Sequence, residues 1–157
     1  MTEFLLPSAA LEARITLTQG EPRSGTIFLG ARVAQHEGPE TPLEMLNRPD
    51  PFFPFRPTGN GEVLLVAKGQ TVALAVEDAP IGDPDRLSAA RQLHLEVVLT
   101  NGATLSGRAS VELPEHHARP LDYLNASIEP FFAISTDERT HYVNRAHVLF
   151  ARPRGGD

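Results

Sequence analysis

The sequence predicts an all-β protein made of two tandem small five-stranded barrels, each carrying one short helical turn. Three observations lead there. Apolar residues alternate with polar ones over short runs, as in Leu11, Ala13, Ile15 and Leu17, which is the period of a strand with one buried face. Turn residues punctuate these runs at short, regular intervals. The chain also repeats itself: PLEMLN (42–47) followed by PFFPF returns as PLDYLN (120–125) followed by PFFAI. A strand and glycine turn precede each copy, ITLTQGEPRSG from Ile15 and VVLTNGATLSG from Val97. The repeats divide the chain into a first barrel (1–78), a linker (79–92), a second barrel (93–152) and a tail (153–157), expected to fray.

In the first unit the alternating run to Leu17 meets a turn at Gln19-Gly20, then a second run of Ile27, Leu29, Ala31 and Val33, which makes a hairpin. Its counterpart runs through Leu93, Leu95, Val97 and Leu99, turns at Asn101-Gly102, and returns through Ala109, Val111 and Leu113. Asn-Gly is a strong two-residue hairpin signal. Thr41-Pro42-Leu43-Glu44 has the form of a capping box: a hydroxyl N-cap, proline at the first helical position and an acid three residues after the cap. It predicts a helical turn ending at Asn47. The second unit keeps Pro120 and Asp122 but has Arg119 at the cap. Leu43 with Leu46, and Leu121 with Leu124, share one face of their turns and are expected to plug the open end of a barrel, with Asn47 and Asn125 capping the turn's end.

The aromatic strands follow, Phe52, Phe53 and Phe55 in one unit and Phe131, Phe132 and Ile134 in the other. Neighbours on a strand point to opposite faces. One of Phe52 and Phe53, and one of Phe131 and Phe132, is therefore expected at an interface between the units or exposed to a partner. Pro54 has no N–H for a ladder, which predicts an edge strand or a bulge. Two further strands around a polar break, Ala67-Lys68-Gly69 or Asn144-Arg145-Ala146, complete each unit. The prolines and aspartates of DAPIGDPDR mark the linker.

Five short strands with a helical turn after the second make the plan of an SH3-like or Sm-like small barrel. VVLTNGATLSG resembles the first motif of Sm-like proteins, a strand, a turn with glycine and a strand that starts at glycine. KGQTV, Lys68 to Val72, is similar to their second motif, in which a basic residue and a glycine precede the last strand; NRAHV lacks that glycine. The resemblance implies RNA binding and ring assembly, with Lys68, Arg145, Asn47 and Asn125 as the candidate contacts. Sm-like proteins open with a helix and carry an aspartate and an asparagine in a short connection, where this chain has a proline-rich insertion and an LN turn. The likeness therefore speaks to fold.

Bulk properties narrow the chemistry. The 157 residues carry a net charge of −6, and neither copy concentrates the basic residues on which nucleic-acid affinity rests. With no cysteine, disulfides, thiolate metal sites and cysteine nucleophiles are excluded. Glu3 stands where a signal peptide needs its basic region, and no run is long enough to span a membrane; a cytoplasmic chain without a membrane partner is expected. His36 with Glu37, and His116-His117 with Glu115, lie in polar connections without the helical spacing of a zinc site. Ser106 and Ser110 lack a nucleophile elbow, and the glycines flank strand turns, not a phosphate loop.

The sequence therefore predicts a non-enzymatic protein-interaction or assembly module, scaffolding or regulatory, built by internal duplication. No catalytic residue, metal ligand or cofactor is expected. Another protein or a second copy of the chain is the expected partner. Phe52, Phe53, Phe131, Phe132, Asn47, Asn125, Lys68 and Arg145 are its candidate binding residues. Sm-like RNA binding is the alternative.

Overall fold

The computed structural model describes residues 9–30, 40–77, 91–111, 120–126, 129–136 and 138–154. The first unit opens with a hairpin of β1 (Ala9–Leu17) and β2 (Arg23–Leu29), in which Ala9 faces Leu29 and Ile15 faces Arg23. Ala13 and Ile15 are buried while Glu12 and Arg14 are exposed, so the alternation does select the core face. Gly20 turns the hairpin at φ 88°, a left-handed backbone in which a side chain is strained.

Helix α1 (Pro42–Asn47) has its capping box in full. Glu44 N–H donates to Thr41 Oγ1 at 3.1 Å, and Thr41 N–H donates to Glu44 Oε1 at 2.9 Å. Then come β3 (Phe52–Pro57), β4 (Leu64–Ala67), a 3₁₀ turn at Lys68–Gln70 and β5 (Thr71–Glu77). The second unit repeats the order with β6 (Arg91–Leu99), β7 (Thr104–Val111), α2 (Pro120–Ala126), β8 (Phe131–Ser135), β9 (Arg139–Asn144), a 3₁₀ turn at Arg145–His147 and β10 (Val148–Pro153). Strand β6 begins inside the segment read as linker. The last strand takes in Pro153, and Arg154 N–H still donates to His94 O at 2.8 Å, so the expected frayed tail does not start at 153.

The ten strands are hydrogen-bonded into one antiparallel sheet in the order β10-β6-β7-β8-β9-β5-β1-β2-β3-β4. Each unit thus contributes five adjacent strands, and the seam between units is the β5–β9 ladder. Strands β10 and β4 are the two ends. Contrary to expectation, Pro54 is not on an edge strand: β3 lies between β2 and β4. The described ladder to β2 covers only Phe55–Pro57, whereas that to β4 covers Phe52–Phe55. Pro54 therefore falls beyond the last β2 partner, where a missing donor costs little.

The core is in two parts. One is built on Ile15, Ile27, Leu46, Phe53, Phe55 and Leu74, the other on Val97, Leu99, Phe132, Ile134 and Val143. Leu43 and Leu46 pack on the first, and Leu124 on the second. Leu121 departs from the expected plug: it is 63% exposed.

Candidate functional site

Among the described residues, the two units meet along the β5–β9 ladder. Along the seam Ala73 faces Val143, Leu74 faces Tyr142, Ala75 faces His141, Val76 faces Thr140 and Glu77 faces Arg139. The last pair is an exposed ion pair, 3.8 Å between Glu77 Oε2 and Arg139 Nη2. Side chains are also exchanged across the ladder. Phe131 and Tyr142 of the second unit are buried in the first unit's core, and Val72 of the first unit is buried in the second unit's core. Each half therefore completes the apolar interior of the other. Burial pushes the Tyr142 phenol up to about 12. Burial and, secondarily, Arg139 lower the pKa of His141.

Polar groups tie the same seam. Asn47 accepts from Phe131 N–H at 2.9 Å and donates through Nδ2 to Phe131 O at 3.2 Å and Glu129 Oε1 at 3.4 Å. Its predicted role as a helix cap is thus corrected: the amide turns away from α1 because the β8 backbone, presented at the seam, offers both a donor and an acceptor. From the other side, buried Asn144 donates to Lys68 O at 3.2 Å and Thr71 O at 3.1 Å. His147 Nε2 lies 2.9 Å from Gly69 O.

The helix ends are capped by the basic residues instead. Lys68, 7% exposed, donates from Nζ to Met45 O at 2.9 Å and Arg48 O at 3.1 Å, satisfying carbonyls at the end of α1. Burial, then the Arg48 charge, lowers its pKa. Arg145 does the matching work on α2, donating from Nη1 to Leu124 O and from Nε to Glu129 O, both at 2.9 Å. Its guanidinium also lies 4.9 Å from the Phe132 ring centroid and 5.7 Å from that of Tyr123.

The adjacent phenylalanines divide as strand geometry requires. Phe53 and Phe132 are buried in their own units. Phe131 is buried at the seam, while Phe52, in the same place of the first unit, is 55% exposed. Sequence reasoning missed Val63, Leu65, Leu149 and Phe150, which are exposed at the sheet ends, and Val72 and Asn144, which cross the seam. Single-unit periodicity carries no mark of which strand will be an edge; laying AKGQ over NRAH aligns them. A shallow, open depression beside the seam is lined by Thr136, Glu138, Arg139 and His141. No cluster of three metal-ligating side chains occurs among the described residues, and no helix among them is long and apolar enough to cross a membrane. His36, His116 and His117 lie outside the described residues. Set against known protein families, curated proteins and solved structures, the chain has no significant match.

Proposed function

We propose that the chain is a non-enzymatic assembly module: two small SH3/Sm-like barrels fused at the β5–β9 ladder, whose two remaining sheet edges take up strands from a protein partner. The connection between β4 and β5 supports the barrel reading. These strands stand at opposite ends of their unit's five-strand order, four spacings of about 4.8 Å apart, or roughly 19 Å if the sheet were flat. Only the 3₁₀ turn Lys68–Gln70 joins them, and at about 2 Å per residue it covers less than half that span. The five strands must curl until their ends approach. The same argument applies to β9, Arg145–His147 and β10.

The observation that carries the functional reading is where the apolar surface lies. Among the described residues, five of the six exposed large apolar side chains are Val63 just before β4, Leu65 on β4, Phe52 on the neighbouring β3, and Leu149 and Phe150 on β10; the sixth, Leu121, is on α2. Unpaired backbone beside exposed apolar side chains is the combination that adds a strand. RNA binding lacks comparable support: Lys68, Arg145 and Asn47 are engaged with helix ends and the seam. Photo-crosslinking in the intact host, with the reactive side chain at Leu65 or Leu149 and a control at exposed Thr58, tests the reading. Adducts to protein from the edge positions and not from the control are expected. Adducts from none of them, or equally from all three, reject it.

A further inference from the structure

The β10 end of the sheet has a basic outer face. Leu95, Val97 and Leu99 of β6 are buried, so His94, Glu96 and Val98, at the alternate positions, face outward. The ladders line up three rows on this side: Phe150 with Val98 and Thr104, Arg152 with Glu96 and Ser106, and Arg154 with His94 and Arg108. Arg108, Arg152 and Arg154 are exposed. Glu96 is the one carboxylate at these positions, and two of the arginines share it: Arg152 Nη1 lies 3.3 Å from Oε2, and Arg154 pairs with Oε1. The Arg152 guanidinium also lies 5.1 Å from the Phe150 ring centroid. Three guanidiniums against one carboxylate leave this face positive in a chain whose net charge is −6. The β4 end differs. Its strand, Leu64–Ala67, has no charged residue, and the exposed residue before Val63 is Glu62.

Backbone alone makes β10 a poor template. Arg154 N–H donates to His94 O at 2.8 Å, and alternate residues of an antiparallel strand turn their peptide groups to opposite sides. Ala151 and Pro153 therefore face the open edge. Pro153 has no N–H, so from Ala151 to Pro153 the edge offers one donor and two acceptors. Side chains must supply the rest of the selectivity. The seam shows the same position of the repeat with a neighbour in place. Laying Lys68–Gln70 on Arg145–His147 puts Glu77 of β5 where Arg154 stands. The strand beside Glu77 meets it with the opposite charge, Arg139, 3.8 Å away.

We infer that β10 takes an acidic strand: an extended segment of a protein partner with two carboxylates at alternate positions, opposite Arg152 and Arg154, and an apolar residue two positions further on, opposite Phe150. This rests on the assembly reading above and names the partner's chemistry at one of its two edges. Residues directly opposite on neighbouring strands bring their Cβ atoms to about 5 Å, within reach of a carboxylate for a guanidinium. Arg108, two strands away, adds to the local potential without touching the segment. Exposed ion pairs contribute little affinity each, so their effect is to choose the partner and its register.

Fluorescence anisotropy on the intact wild-type chain tests this with three peptides that alternate valine with glutamate, with glutamine or with lysine. The glutamate peptide is expected to bind about fivefold tighter than the glutamine peptide or better, the lysine peptide weakest, with the preference shrinking as salt rises from about 0.05 to 0.5 M. Arg152→Gln with Arg154→Gln should lose the preference, and Arg152→Lys with Arg154→Lys should keep most of it, both with unchanged circular dichroism. A photoreactive side chain at Leu149 should trap the glutamate peptide, and one at Leu65 should not. Equal binding of the glutamate and glutamine peptides, or capture at Leu65 in place of Leu149, overturns the inference. So does equal displacement by an oligonucleotide of the same charge, which would mark a general anion surface, or a wild-type mass by light scattering that places a second copy of the chain on β10. If the peptides are not distinguished and Leu149 still traps protein in the host, only the acidic assignment is lost. If neither edge position traps protein there, the assembly reading falls with it.

Discussion

Asn47 and Asn125 occupy one position of the repeat and have different surroundings, so substitution should separate them. Asn47→Ala leaves the Phe131 N–H at the seam without its acceptor and should destabilise the chain by about 1–2 kcal/mol. Asn125→Ala, at an exposed residue, should stay within about 0.5 kcal/mol in dilute solution. Urea denaturation of both variants checks this; equal losses would mean that the seam bond contributes nothing. His141 makes the seam sensitive to pH. Burial first, then Arg139, lowers its pKa from 6.5, so below about pH 6.5 the unfolded chain binds more protons than the folded one. Stability that depends on neutral His141 is complete above that pH and declines as pH falls toward the folded pKa. Wild type should lose stability between pH 7.5 and 5.5, and His141→Gln should lose measurably less. Identical losses in the two proteins would remove the residue from the account.

At the scale of elements, the glycine that follows serine in each hairpin has a packing reason. A Cβ on Gly107 would run into Ser135 O and lie 2.6 Å from Ile134 Cγ2; one on Gly25 would run into Arg56 O and lie 2.6 Å from Phe55 Cζ. In both units the second strand runs close against the strand that follows the helix, its neighbour in the sheet. Gly107→Ala should therefore cost about 1–3 kcal/mol, the range of overpacking, and thermal melting will register it; a neutral change would contradict the close approach of the two strands. Thr41→Ala removes the α1 cap and should cost about 1 kcal/mol. Glu44 N–H should then exchange faster with solvent, and an unchanged rate would show that the box does not hold the helix. The capping box, both hairpins and the helix positions were legible because each depends on residues within a few positions of one another. Pro54 escapes the edge-strand rule because its tolerance depends on where the β2–β3 ladder ends, at Phe55, which its own strand does not record.

At the scale of the whole molecule, the exchange of Phe131, Tyr142 and Val72 makes each unit's interior depend on the other. Fragments 1–78 and 79–157 should each unfold without a cooperative transition, and an equimolar mixture should recover one. Two fragments that melt cooperatively on their own would show that the seam is dispensable. The same exchange limits how much of each candidate residue's surroundings its sequence neighbours specify. Each phenylalanine pair divides between two faces, as the sequence alone predicts, since alternation is local. Lys68 and Arg145, the basic residues of the Sm-like resemblance, are turned by the fold onto helix carbonyls 20 or so residues earlier, a contact that no spacing rule encodes.

By itself the sequence determined the duplication, the strand-rich class, the hairpins and the helix start, because periodicity and turn chemistry act over short stretches. Only the tertiary structure decided that the units share one sheet, which strands are left as its ends, and that Asn47 and Asn144 serve the seam. Edge and seam are properties of a strand's neighbours in space, and those neighbours are up to a half-chain away in sequence.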